Sequence, residues 1–207
     1  PIRLLAGSTA EIAKGNLDAA LPAIRSEDEL GELSHSFEEM RVALKEYIAD
    51  LARTTAAKER IESELKIARA IQMNFLPKKF PVLDADGKFL LDARLEPAKM
   101  VGGDFYDFFM LDDDNLFFSI GDVSDKGVPA ALFMAVTKTL MKGIAAPGME
   151  PCEVLRRVNA ELAGDNEMMM FVTGVCAVLN LRTGRLSYSN AGHMPPLLLK
   201  RGGGVQA

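Results

Sequence analysis

No run in the 207 residues approaches the roughly 18 consecutive apolar residues of a membrane span. No signal-peptide pattern occurs within these residues. Methionine is missing from position 1, where Pro1 stands, so the chain reads as a piece of a longer protein, with any anchor upstream outside it. Basic charge is not in excess: 24 Lys and Arg against 29 Asp and Glu leave a net charge of −5, which excludes the basic footprint of a nucleic-acid-binding domain. Cysteine is scarce. Cys152 and Cys176 have no metal-type spacing and read as small buried apolar residues in a reducing compartment. What remains is an ordinary globular balance, 48% apolar and 26% charged, long enough for one large domain or two small ones.

Residues 1–76 read as helix. Leu30, Leu33, Phe37, Met40, Leu44, Tyr47 and Leu51 are spaced 3, 4, 3, 4, 3, 4, an a/d heptad seam. The register continues through Thr54, Lys58, Ile61, Leu65, Ala68, Gln72 and Phe75, where Thr54, Lys58 and Gln72 put polar groups on the seam. A lone helix cannot bury such a stripe; a parallel dimer buries it most simply, and packing on the chain's own domain is the alternative. Upstream, Ile2, Leu5, Thr9 and Ile12 form a shorter stripe that Gly15 ends. A connector with Pro22 follows, whose isolated apolar residues Leu17 and Ile24 are expected to pack on the helices. Asp28 then starts the second helix, as N-cap or first-turn acid. Pro77 stops it.

Pro1, Glu11-Ile12, Gly15-Asn16-Leu17-Asp18 and Asp28-Glu29-Leu30-Gly31, in that order, resemble a HAMP domain over residues 1–52. The resemblance implies a parallel four-helix dimeric coiled coil that follows a transmembrane helix, on the cytoplasmic side of a bacterial membrane, with residues 53–77 as a coiled-coil linker helix. His35 has neither a kinase-like proline nor a nucleotide-binding glycine box with it and reads as a solvated surface residue.

Beyond Pro77 the periodicity changes. Two aromatic and β-branched runs, 104–111 and 116–122, flank the turn-like Asp112-Asp113-Asp114-Asn115 and predict a β-hairpin. With those four residues as the loop, Asp104 faces Val123 and Asp122 faces Phe105; a loop one residue different puts Asp104 directly opposite Asp122. In the first register strict alternation places the two acids on opposite faces, and sharing an ion then needs a bulge. In either register both carboxylates end at one end of the hairpin, with Gly102, Gly103 and Gly121 leaving room beside them. Two such acids suit a hard cation, and solvated edge acids are the other reading. Asp112, Asp113 and Asp114 read as turn residues.

Val101-Gly-Gly-Asp-Phe-Tyr-Asp107, Ile120-Gly-Asp-Val-Ser-Asp-Lys-Gly-Val-Pro-Ala-Ala-Leu132 and Tyr188-Ser-Asn-Ala-Gly-His-Met-Pro195 resemble, in order, three segments of the SpoIIE-type (RsbU-like) phosphatases, relatives of the type 2C protein phosphatases. The resemblance covers residues 66–207; Asp125 stands where many members carry glycine. It implies that Asp104 and Asp122 are catalytic metal ligands and that Val123 offers its backbone carbonyl. Two Mn²⁺ or Mg²⁺ ions would activate a water that attacks phosphorus in line. The expected substrate is phosphoserine or phosphothreonine on a partner protein, such as an anti-sigma-factor antagonist. No Cys-x5-Arg nucleophile is present, in agreement with direct hydrolysis. The competing expectation is a phosphatase-like relay that binds a partner without catalysis. His193 is left with two roles, protonating a leaving group or fixing its loop; Asn190 reads as a turn former.

The expected fold is α+β: a dimeric HAMP coiled coil and linker helix, then, over 78–207, an incomplete type 2C phosphatase-like β-sandwich flanked by helices. Pro129 opens a helix to about Ala145, with Leu132, Phe133, Val136 and Leu140 inward and Met134 and Met141 as core filler. Pro151 opens another, with Val154, Leu155, Val158 and Leu162 inward and Gly164 as C-cap. A second hairpin joins 171–181 to 185–190, and 196–200 adds a strand. No Thr-Asp-Gly segment of the family's later half follows His193, so the chain is expected to bind metal weakly, to have little activity alone and to leave exposed sheet edges.

Overall fold

A computed structural model describes residues 2–22, 24, 26–78, 90–97, 99–164, 166–200 and 202–206. Pro1 of the first motif and residues 79–89 lie outside that set. The chain divides into two compact units, Pro1–Ser63 and Glu64–Ala207.

In the first unit, α1 (Ile2–Ala13) buries Leu5 and Ile12, the inner positions of the short stripe. Gly15 breaks the helix at φ +93°, a conformation that costs a side-chain-bearing residue energy. Asp28 caps α2 (Glu29–Phe75) through its Oδ1, which accepts from the N–H groups of Leu30 and Gly31 at 3.1 and 3.3 Å. Gly31 is required sterically, since a Cβ there would sit 1.9 Å from the Ser26 carbonyl oxygen. The connector is tied to α2 by polar contacts: Arg41 donates to the Leu17 carbonyl at 2.6 Å, and Lys45 pairs with Asp18 at 2.5 Å. Leu17 and Ile24 are half-buried, as expected of anchors. Along α2 the heptad residues Leu33, Met40, Leu44, Tyr47, Leu51 and Ile61 are exposed, so this copy of the chain leaves the seam uncovered.

The second unit is built on an antiparallel sheet of β1 (Phe105–Met110), β2 (Asn115–Val123), β3 (Val172–Asn180) and β4 (Leu186–Ala191), paired in chain order. Between β2 and β3 run α3 (Val128–Ile144) and α4 (Pro151–Gly164). Both helices pack on one face of the sheet, where Phe105, Phe117 and Cys176 meet Met134, Met141, Val154 and Val158. Cys176 is fully buried, whereas Cys152, expected inside, is exposed.

Several expectations change. The α3 stripe is out of phase: Ala130, Met134, Thr137 and Met141 are buried, while Leu132 and Val136 are exposed. The small Ala130 and the flexible methionines fit closest to the sheet; Leu132 instead lines an apolar groove with Ile71, Phe75 and Val101. Gly164 is the last helical residue of α4, without the positive φ of a left-handed cap. The 196–200 segment joins no large sheet: β5 (Leu198–Leu199) pairs only with β6 (Val205–Gln206). On the sheet's second face Ile120, Leu186 and Tyr188 are about half exposed.

Gln72 also departs from its place on the seam. It is 4% exposed, the one buried residue of α2. Its Nε2 donates to the Gly102 carbonyl at 2.5 Å, and its Oε1 accepts from the Gly102 N–H at 3.2 Å.

Candidate active site

The hairpin register decides how the two acids meet. Phe105 pairs with Gly121 and Met110 with Leu116, so the turn is 111–114 and Asn115 belongs to β2. Extended one step, this register sets Asp104 directly opposite Asp122. The pairing of Asp104 with Val123 is thereby corrected, and no bulge is needed to bring the acids to one face. The turn holds this register because Asp112 Oδ1 accepts from the N–H groups of Asp114 and Asn115 at 3.0 and 2.8 Å and from the Asn115 side chain. These bonds keep the Asp112 carboxyl below its ordinary value and make it a turn former.

Both acids stand exposed at the end of the sheet, on the side away from α3 and α4. Glycines make the approach possible. A Cβ on Gly103 would lie 2.8 Å from both Cβ and the carbonyl oxygen of Val123, and one on Gly121 would lie 2.6 Å from the Phe105 ring. Asp104's carboxyl is pushed up, first by partial burial and then by a hydrogen bond and charge repulsion from Asp122; His193 and Lys126 oppose the shift. Among the described residues no group of three or more Asp, Glu, His or Cys is gathered for a metal ion. Two carboxylates side by side at a sheet end, near a backbone carbonyl, are a donor set suited to a hard divalent cation.

β3 and the loop after β4 complete the neighbourhood. Thr173 pairs with Asp122, and its hydroxyl lies 3.4 Å from the Asp122 carbonyl oxygen. The same hydroxyl is 3.0 Å from His193 Nδ1. Asn190 holds the His193 backbone at both ends: its Oδ1 accepts from the His193 N–H at 2.8 Å, and its Nδ2 donates to the His193 carbonyl at 3.0 Å. Thr173 was not legible as a site residue, because only the β2–β3 pairing places it beside Asp122. Asp125 has φ +68°, a left-handed position that explains why glycine suits it and why aspartate is tolerated.

Residues 112–207 match the model of Stage II sporulation protein E (SpoIIE), and residues 1–46 match the HAMP domain. The chain joins a HAMP domain to a SpoIIE-type domain. It is 33% identical to Protein IcfG of Synechocystis sp., across 98% of this chain and 36% of that protein. It is 34% identical to Phosphoserine phosphatase RsbU of Bacillus subtilis, across 66% of this chain and 40% of that protein. The chain thus spans well under half the length of these two relatives. The SpoIIE-type domain also resembles the SiaA-PP2C domain of Pseudomonas aeruginosa in fold, with a TM-score of 0.55 at 22% identity, covering 65% of this chain and 54% of that one. The α+β expectation therefore holds, with one four-stranded sheet and a two-stranded β5–β6 ribbon among the described residues. No helix among them is long and apolar enough to cross a membrane.

Proposed function

We propose that the chain is part of a signal-transduction phosphatase that hydrolyses phosphoserine or phosphothreonine on a partner protein. The observation that carries this is the opposition of Asp104 and Asp122 at a glycine-lined sheet end, with Asp104's carboxyl raised first by partial burial and then by Asp122. The name of the RsbU relative supports the substrate class. Asp104, Asp122 and the Val123 carbonyl would hold Mn²⁺ or Mg²⁺, which when bound supplies charge stabilisation for phosphoryl transfer to water. The chain's own residues orient and fix: Gly103 lets the Val123 backbone close on the first strand, and Gln72 pins Gly102, two residues before Asp104. The exposed heptad seam of α2 supports a parallel dimer of a membrane-anchored parent. With only two carboxylates gathered, cation binding by this chain alone is expected to be weak.

The test is Mn²⁺-dependent dephosphorylation of a phosphopeptide by the full-length protein and its Asp122→Asn variant. Loss of turnover in the variant supports catalysis. Unchanged turnover, or an inactive parent, favours the relay reading.

A further inference from the structure

We propose that the His193 imidazole, acting through the Thr173 hydroxyl, positions the peptide that joins Asp122 to Val123, and with it the two cation donors those residues offer. His193 and Thr173 are positioning residues, not ligands. The proposal rests on the phosphatase reading above.

The loop does not need the imidazole for its own shape. Asn190 bonds both the N–H and the carbonyl of His193, at 2.8 and 3.0 Å, and Gly192 takes the left-handed conformation at φ +71° that the turn requires. An isolated bridge from Gly174 to Gly192 ties the loop to β3. The β3–β4 ladder itself ends where Val175 pairs with Asn190. Beyond that point the His193 ring reaches back to Thr173, directly across from Asp122, with Nδ1 3.0 Å from the hydroxyl oxygen.

The directions of the bonds follow from the protons available. The Thr173 hydroxyl donates its one proton to the Asp122 carbonyl oxygen at 3.4 Å. Its oxygen is then left to accept, so His193 Nδ1 carries the proton between them. That bond fixes the neutral ring in the Nδ1–H tautomer. The carbonyl that Thr173 reaches belongs to the Asp122–Val123 peptide. A peptide is a rigid plane, so its tilt sets both the direction in which the Asp122 side chain leaves the strand and the approach to the Val123 carbonyl. It lies at the end of β2, where Gly121 before it and Gly103 across from Val123 offer no side chains to brace it. Outer hydrogen-bond partners of this kind orient the donors of a cation site and tune its affinity.

Nitrogen-15 NMR of the 207-residue chain reads the tautomer directly, since His35 and His193 are its two histidines. The neutral His193 ring is expected as Nδ1–H. In the full-length protein, titration with Mn²⁺ should show binding weakened roughly tenfold by His193→Ala or by Thr173→Val. His193→Asn, which places an amide N–H where Nδ1–H stood, should restore most of it, as should Thr173→Ser. His193→Gln, whose amide falls where Nε2 stood, should not. The double variant of His193→Ala with Thr173→Val should bind no more weakly than either single one, because both break the same chain of bonds. An Nε2–H tautomer, Mn²⁺ affinity unchanged by Thr173→Val, rescue by Gln in place of Asn, or additive losses in the double variant would each overturn the proposal. Mn²⁺ binding is read without turnover, so a parent that binds Mn²⁺ through this tie but hydrolyses no phosphopeptide would sink the phosphatase reading alone.

Discussion

Gln72 grips Gly102 by both its carbonyl and its N–H, so the last turns of α2 are bonded to the glycine loop that leads into Asp104. Gln72→Leu keeps the volume but leaves two backbone groups unpaired. It should cost about 2 kcal/mol in urea unfolding and weaken cation binding at Asp104. A variant as stable as the wild type would show that solvent satisfies Gly102.

Lys138 and Asp107 form a pair at 2.6 Å, with side chains 10% and 3% exposed, and it locks α3 onto β1. Lys138→Met strands a buried carboxylate and should destabilise by about 3–5 kcal/mol, whereas adding Asp107→Leu should recover most of the loss. A double variant no more stable than the single one would contradict this account. The cycle is read by denaturant titration.

Asp104 gives the fold a pH dependence of stated sign. Its folded carboxyl lies above the ordinary 3.8, so the folded chain binds the proton more readily than the unfolded one. Its contribution to stability therefore falls as pH rises from 3.8 through the raised value. Without cations at pH 7, Asp104→Asn should melt higher than the wild type, and the stabilisation that Mn²⁺ gives the wild type should vanish. Lower melting of the variant would refute the repulsion.

Glycine replacements separate close approach from open space. Gly121→Ala and Gly103→Ala place Cβ atoms at 2.6 and 2.8 Å from neighbours and should cost upwards of about 1–3 kcal/mol. Gly143→Ala in α3 meets nothing within 4 Å and should stabilise by about 0.5–1 kcal/mol. Thermal melts of the three variants check the ranking.

The seam of α2 predicts self-association. Leu44→Asp, at a position 39% exposed in the single chain, should lower dimer content in sedimentation runs while leaving helix content near that of the wild type. A wild-type chain that sediments as a monomer at high concentration would refute the dimer.

Local chemistry was readable in the sequence and packing phase was not. Asp28, Gly15 and the 112–115 cluster announced a cap, a break and a turn, because each acts through its own backbone neighbourhood. The hairpin register turned on one residue, since Asn115 has the composition of a turn yet pairs with Asn180 as the start of β2. On α3 both faces are apolar, so hydrophobicity alone could not choose Met134 over Leu132; the tight fit against the sheet chose. Gln72 fell on the heptad spacing, and its partner, 30 residues away, has no local signal. Thr173, with His193 on it, came beside Asp122 only through the β2–β3 pairing, which spans both helices.

That last pairing has a kinetic corollary. β1–β2 and β3–β4 are local ribbons that close small loops, whereas β2 meets β3 only after α3 and α4 have been spanned. Long closures are slow relative to short ones. The acids ride on the first ribbon, and Thr173, with the histidine loop, rides on the second. A chain caught with its ribbons formed but undocked would hold its carboxylates and still lack the histidine beside them, so assembly of the full constellation reports that folding is complete.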